Sequence, residues 1–198
     1  MKPKVIYFDW GGVVANDPGD EFLGQLLKAI GASDVQVEQI FETYMASFMR
    51  GELSEADYWR ELYTVYGFSI PDTISAEFKK WKGLVANYEV LALADEAKSH
   101  GIRVAILSNV IEPTYNVLEQ VGYYAQFDSV IASCKVGYAK PDPEIYEIAL
   151  GRFDAKPAET VFIDDKQKLL DPAAALGMHT ILAQNPVQLI RDVRATWR

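Results

Sequence analysis

The stretch from Lys4 to Val14, Lys-Val-Ile-Tyr-Phe-Asp-Trp-Gly-Gly-Val-Val, constrains the fold of this chain most. An apolar run ends in a single aspartate, Asp9, and two glycines follow almost at once. Such a run reads as a parallel strand buried on both faces. It carries a carboxylate to its C-terminal end, the edge where open α/β sheets keep their ligand crevices. Gly11 and Gly12 permit a tight turn and the close approach of a ligand. A strand that merely ends in an Asx-type turn accounts for the same residues, so the rest of the chain has to decide.

After that strand, Ala15 to Asp20 (Ala-Asn-Asp-Pro-Gly-Asp) is a turn and helix-entry signal. Up to about Leu84 the pattern is helical only. Phe22, Leu23, Leu26, Leu27 and Ile30 form one apolar stripe, stopped at Gly31. Val37, Ile40, Phe41, Tyr44, Met45 and Phe48 form a second, ending near Gly51. Ser54 to Asp57 resembles a capping box and opens a third helix. Pro71 to Trp81 gives a weaker fourth, and four helices with short links make a small bundle. From Tyr88 the pattern alternates. Helices at Val90–His100, Pro113–Val121 and Pro143–Phe153 precede strands at Arg103–Leu107, Ser129–Ala132 and Thr160–Ile163. A last helix precedes His179–Leu182. Alternation of this kind implies right-handed crossovers and a parallel sheet with helices on both faces. The expected fold is therefore α/β: a Rossmann-like parallel sheet core with a helical domain inserted after its first strand.

Composition narrows the function. A formal net charge of −9 over 198 residues argues against nucleic acid, which selects a basic surface. An anionic substrate must then be drawn by local cations or a metal. The single cysteine, Cys134, excludes an internal disulfide framework and fits a cytoplasmic setting. No signal-peptide pattern precedes the first strand, and no apolar run is long enough to span a bilayer. Neither a membrane nor a nucleic-acid partner is expected.

Three later strands also stop at polar residues: one at Ser108 and Asn109, one at the acidic pair Asp164 and Asp165, and one leading to Lys140 ahead of Pro141. Parallel strands share one C-terminal edge, so these residues should converge near Asp9. A nucleophilic carboxylate, a hydroxyl, an ammonium and an acidic pair are what phosphoryl transfer requires. Asp9 can attack phosphorus and form an aspartyl-phosphate. Lys140, Ser108 and the backbone N–H of Asn109 can hold the phosphate oxygens. Asp9, Asp165 and a backbone carbonyl suit a hard cation such as Mg²⁺.

Each residue also has a plainer explanation. Ser108 and Asn109 could cap the next helix. Lys140 could be a solvated surface lysine. Asp164 and Asp165 could be an N-cap pair favoured by a helix dipole. Lys166 and Lys168 read as solvated helix-entry charges, and the aromatic stripe of the inserted helices reads as bundle core. Tyr44, Arg50 and Trp59 could face either that core or the crevice. What outweighs the separate explanations is the joint pattern of polar sites at strand ends.

At this point the sequence resembles the haloacid dehalogenase-like hydrolase superfamily. Phe8 to Val14 resembles its first motif, Ile106 to Asn109 its second, Lys140 to Tyr146 its third, and Phe162 to Asp165 its fourth, with Ala173 to Gly177 as the continuation. The inserted helices match the family's C1 cap. The resemblance implies a core of residues 1–16 and 86–198, a helical cap of residues 17–85, an aspartyl-enzyme intermediate and Mg²⁺. It adds the Gly11 carbonyl and Asp164 to the metal set. It also implies a small phosphorylated substrate and a monomer or homodimer.

Two departures qualify the resemblance. The usual second aspartate of motif one, a general acid and base, is replaced by Gly11, and loss of such a group costs on the order of 10²–10⁴ in rate. Phe-Asp-x-Gly at this place resembles the sugar-phosphate phosphatase branch. The Asp or Asn usually found four residues after Asp165 is Leu169, and Asp171 before Pro172 reads as a late N-cap. The leading expectation is a phosphatase. One alternative is an L-2-haloacid dehalogenase, whose halide leaves unprotonated, although such relatives carry small hydroxyl residues where Asp164 and Asp165 stand. The other is a catalytically impaired phospholigand-binding protein.

Overall fold

A computed structural model describes residues 2–16, 18–69 and 71–197. Asp17, part of the expected turn and the first residue of the expected cap, lies outside the described residues. Five strands form one wholly parallel sheet in the order β3-β2-β1-β4-β5: β1 (Val5–Phe8), β2 (Arg103–Ser108), β3 (Ser129–Ala132), β4 (Thr160–Asp164) and β5 (His179–Leu182). β1 is central. Phe8 is in register with Ile106 on one side and Ile163 on the other, so the residues after β1, β2 and β4 arrive at one edge together.

Side chains alternate along a strand, and β1 divides accordingly between two apolar clusters. Ile6 and Phe8 belong to one that runs through the inserted helices, and Val5 and Tyr7 to another beneath the opposite face. The buried Tyr7 hydroxyl donates to the Ala149 carbonyl at 2.6 Å, so this polar atom enters the core with its partner.

Between β1 and β2 the chain is helical, as its periodicity predicts: α1 (Pro18–Ala29), α2 (Asp34–Met49), α3 (Glu55–Tyr66) and α4 (Ile74–Lys80), followed by α5 (Tyr88–Ser99) against the sheet. Ser54 caps α3 by accepting from the Asp57 N–H at 3.1 Å, but the reciprocal capping box is at Ser33 and Gln36 of α2. The aromatic stripe is insert core: Tyr58 stacks on Phe48 and meets Tyr44 and Trp59 edge to face. The chain's passages into and out of the insert run side by side. Asn16 N–H donates to Val85 O (3.0 Å), Asn87 N–H donates to Val14 O (2.8 Å), and the Asn16 side chain bonds Gly83 O and Val85 N–H at 2.6 and 2.8 Å.

The remaining α-helices are α6 (Glu112–Val121), α7 (Ser133–Val136), α8 (Pro143–Arg152), α9 (Gln167–Ala175) and α10 (Pro186–Ala195), and a 3-10 turn, Pro157–Glu159, precedes β4. Two of these escape the periodicity analysis. α7 is a single four-residue turn, too short to show a period. α10 was signalled by Asn185, whose side chain accepts from the Gln188 N–H at 2.9 Å, by Pro186 in the first turn, and by the buried pair Leu189 and Val193. Asp171 is not a late cap: α9 begins at Gln167, Pro172 lies inside it, and Asp171 accepts from Gln167 Nε2 at 2.7 Å. Among the described residues no helix is long and apolar enough to cross a membrane.

Candidate active site

The convergence expected at the strand ends is present. Asp9, one residue beyond β1, is held at its N–H by Ile163 O (2.9 Å), and its Oδ1 accepts from the Trp10 N–H at 2.8 Å. Lys140 Nζ lies 3.0 Å from Asp9 Oδ1 and 2.6 Å from Asp164 Oδ2. Lys140 is only 3% exposed, so its plain reading as a solvated lysine is wrong. An ammonium that far from water needs anionic partners, and here it has two.

Neither Ser108 nor Asn109 caps a helix: Ile111 precedes α6 and makes no side-chain cap. Ser108, buried, gives Asp9 a side-chain hydrogen bond. Asn109 acts where the sequence did not indicate. Its Oδ1 accepts from the Lys140 N–H and its Nδ2 donates to the Lys140 carbonyl, both at 2.8 Å. One amide side chain thereby fixes the backbone that carries the ammonium. Asp142, next along that loop, is clamped by Arg50 at the end of α2, Nε to Oδ2 at 2.9 Å and Nη2 to Oδ1 at 3.0 Å. Arg50 is thus engaged by an acidic partner and does not line the crevice. Tyr44 and Trp59 also lie outside it, in the insert core.

Asp164 ends β4 fully buried, and both its oxygens are engaged, one by Lys140 and the other by the Lys166 N–H at 2.8 Å. Asp165 sits beneath the turn after β1. A Cβ on Gly12 (φ +76°) would stand 2.5 Å from Asp165 Cγ. Gly12 therefore makes room for a side chain of the site, where the sequence suggested room for a ligand. Asp9, Asp164 and Asp165 bring carboxylate oxygens within 4.8 Å of one another. Three carboxylates gathered in one place offer hard oxygen donors, a set that fits Mg²⁺. Burial pushes the Asp9 carboxyl above its ordinary range; Lys140 pulls it down, and Asp164 adds to the upward push.

Above this floor lies a cavity of about 290 Å³. Asp9, Gly11, Ser108, Asn109 and Lys140 all line it. Lys166 and Lys168, read from sequence as solvated, are exposed and line it with Asp20. Which apolar residues complete the wall is not legible from the sequence, because they come from segments far apart in the chain.

Known proteins resemble this chain in sequence and in fold. The chain is 29% identical over 175 residues to the sesquiterpene phosphatase astK of Aspergillus oryzae, covering 87% of this chain and 82% of that protein. It is 25% identical over 201 residues to mouse acyl-CoA dehydrogenase family member 10, covering 97% of this chain but only 19% of that much longer protein. A HAD family enzyme of Bacteroides thetaiotaomicron, crystallised with magnesium and inorganic phosphate, shares the fold at TM-score 0.74 and 23% identity, over 94% of this chain and 98% of that one. The family model for haloacid dehalogenase-like hydrolases matches residues 3–177, and the chain belongs to that family.

Proposed function

We propose that this hydrolase is a Mg²⁺-dependent phosphatase of a small phosphorylated metabolite that works through an aspartyl-phosphate on Asp9. One observation carries the reading: Asp9 shares Lys140 with Asp164, beside Asp165, at the floor of a cavity. The astK phosphatase and the magnesium and phosphate of the Bacteroides enzyme support it.

In this reading an Asp9 carboxylate oxygen bonds to phosphorus as the ester P–O bond breaks. The departing oxygen takes its proton from water, since Gly11 offers none. A water oxygen then attacks the phosphorus and the bond to Asp9 breaks. Inorganic phosphate leaves, the carboxylate is restored, and the proton passes to solvent. Lys140, the Ser108 hydroxyl and the Asn109 N–H hold the phosphoryl oxygens. Asp9, Asp165 and the Gly11 carbonyl would hold Mg²⁺, with Asp164 completing the acidic set while anchoring Lys140. When bound, the ion neutralises charge on the phosphoryl group and lets it approach the carboxylates. Residues 1–16 and 86–198 act as the core and 17–85 as a cap that closes over substrate. The side-by-side passage at Asn16 and Val85 supports that division.

The test is phosphate release from p-nitrophenyl phosphate with Mg²⁺ and with EDTA, in wild type and Asp9→Asn. Release that needs the metal and disappears in the variant is the expected result. Metal-independent chloride release from 2-chloropropionate, with no phosphate release, would replace this reading by a dehalogenase.

A further inference from the structure

We infer that the substrate's alcohol part is an apolar chain, an alkyl or isoprenoid alcohol, and not a sugar. The inference rests on the phosphatase reading and specifies its leaving group. The evidence is the wall of the cavity above the phosphoryl site. Met45 and Met49 reach it from α2, Val110 and Ile111 from the loop after β2, Leu118 from α6, and Leu169 from α9. All but Met49 are nine-tenths or more buried. Their side chains offer a ligand no hydrogen bond beyond the weak thioether acceptors of the methionines.

A hexose brings several hydroxyls, and each one buried without a partner loses binding. Within this wall two buried polar atoms can answer, the Trp10 indole N–H and the Thr114 hydroxyl. Trp10 is 3% exposed and Thr114 2%, both line the cavity, and neither Trp10 Nε1 nor Thr114 Oγ1 has a hydrogen-bond partner among the described residues. One donor and one hydroxyl suit one or two polar atoms, such as an ester oxygen or a lone hydroxyl on an otherwise apolar body, fewer than the several hydroxyls of a hexose. The charged groups Asp20, Lys166 and Lys168 are exposed residues of the cavity lining, in contrast to the mostly buried apolar side chains named above. Leu169 fits the same account, since the place where the family usually keeps an acid or amide is here part of the apolar wall. Methionines suit a flexible chain, because their unbranched side chains adapt to irregular shapes.

The experiment compares kcat/KM for geranyl monophosphate and glucose 1-phosphate in the Mg²⁺-loaded protein, with p-nitrophenyl phosphate as a general phosphatase substrate. Each methylene accepted by an apolar pocket is worth about tenfold or more in kcat/KM, so the geranyl ester should exceed the sugar ester at least tenfold. Leu118→Asn should shrink that ratio, mainly through KM for the geranyl ester, while Leu118→Met should keep it. A variant that simply folds poorly would lower both substrates together and leave the ratio alone. Turnover of the sugar ester equal to or better than the geranyl ester overturns the inference and leaves the phosphatase reading standing. No turnover of any of the three overturns both.

Discussion

The floor and the walls of the cavity are built on opposite principles. The floor gathers Asp9, Ser108, Lys140, Asp164 and Asp165 from three strand ends and one loop, and nearly every polar group there is held by another. The walls are apolar, drawn from the insert and from the helices after β2 and β4. Fixed charges can be preorganised for one reaction at the floor, whereas the walls can only select by shape and by what they fail to hydrogen-bond. The proposed chemistry thus depends on a few irreplaceable atoms, and the proposed selectivity on many replaceable ones. Substitutions in the two regions should therefore differ in kind as well as in size.

The largest effect should come from the nucleophile. Asp9→Asn removes the proposed attacking oxygen and should lower phosphatase turnover by on the order of 10⁴-fold or more, measured as phosphate release under single-turnover conditions. Residual turnover within tenfold of wild type would break the contrast, because the floor would no longer contain the irreplaceable atom.

Lys140→Met should come next. It takes the ammonium away from two buried carboxylates. The effect expected on turnover is about 10²–10³-fold, with a loss of about 3–5 kcal/mol in stability, as for other buried pairs broken on one side. Added Mg²⁺ should restore part of that stability by replacing the lost positive charge. Chemical denaturation with and without Mg²⁺ checks this; an unchanged midpoint in Lys140→Met would show that the carboxylates do not depend on the lysine.

How far these residues could be read in advance follows the same division. Asp9, Ser108, Lys140 and the acidic pair were legible because a buried strand has a period, an end and a fixed edge. Parallel topology then brings the ends together without further information. Asn109 was legible as a position and illegible as a clamp, because its partner lies 31 residues on, across two connections. Arg50 could face the core or the crevice by sequence, and its bidentate pairing with Asp142, 92 residues away, decides against the crevice. The same limit hid the apolar wall. Met45 reads as part of a helical stripe and Leu169 as a missing acid or amide of a motif, and only tertiary packing decides that both border a cavity. The C-terminal helix α10 is a different omission, since its cap and stripe were present in the sequence.

Asn109→Ala should have an intermediate effect. The side chain makes two hydrogen bonds to the Lys140 backbone, so its loss frees the loop without touching the ammonium. Turnover should fall about tenfold with little change in KM, because a displacement near 1 Å suffices for losses of that order. Asn109→Asp, which keeps the acceptor and loses the donor, should recover part of it. A change confined to KM would instead place Asn109 in binding.

The smallest effect should appear where insert and core touch. A Cβ on Gly51 would stand 2.6 Å from the Cys134 carbonyl oxygen, and Arg50 beside it holds Asp142. Arg50→Ala removes a partly buried bidentate pair worth about 1 kcal/mol, too little to unfold the chain but enough to loosen this contact. Cys134 is a reporter of that loosening. Burial pushes its thiol up to about 11, with Lys135 opposing and Glu112 adding to the shift. An acid whose pKa is raised stays neutral below that value, so the reactive thiolate is scarce at pH 8 and should increase about tenfold per pH unit on the way up. Iodoacetamide should therefore label native Cys134 on the order of 10²-fold more slowly than a free thiol at pH 8. Arg50→Ala should bring the rate closer to the free value by hydrating the sulfur. Equal labelling of wild type and variant would mean that the pair does not govern how closely the insert meets the core at this point.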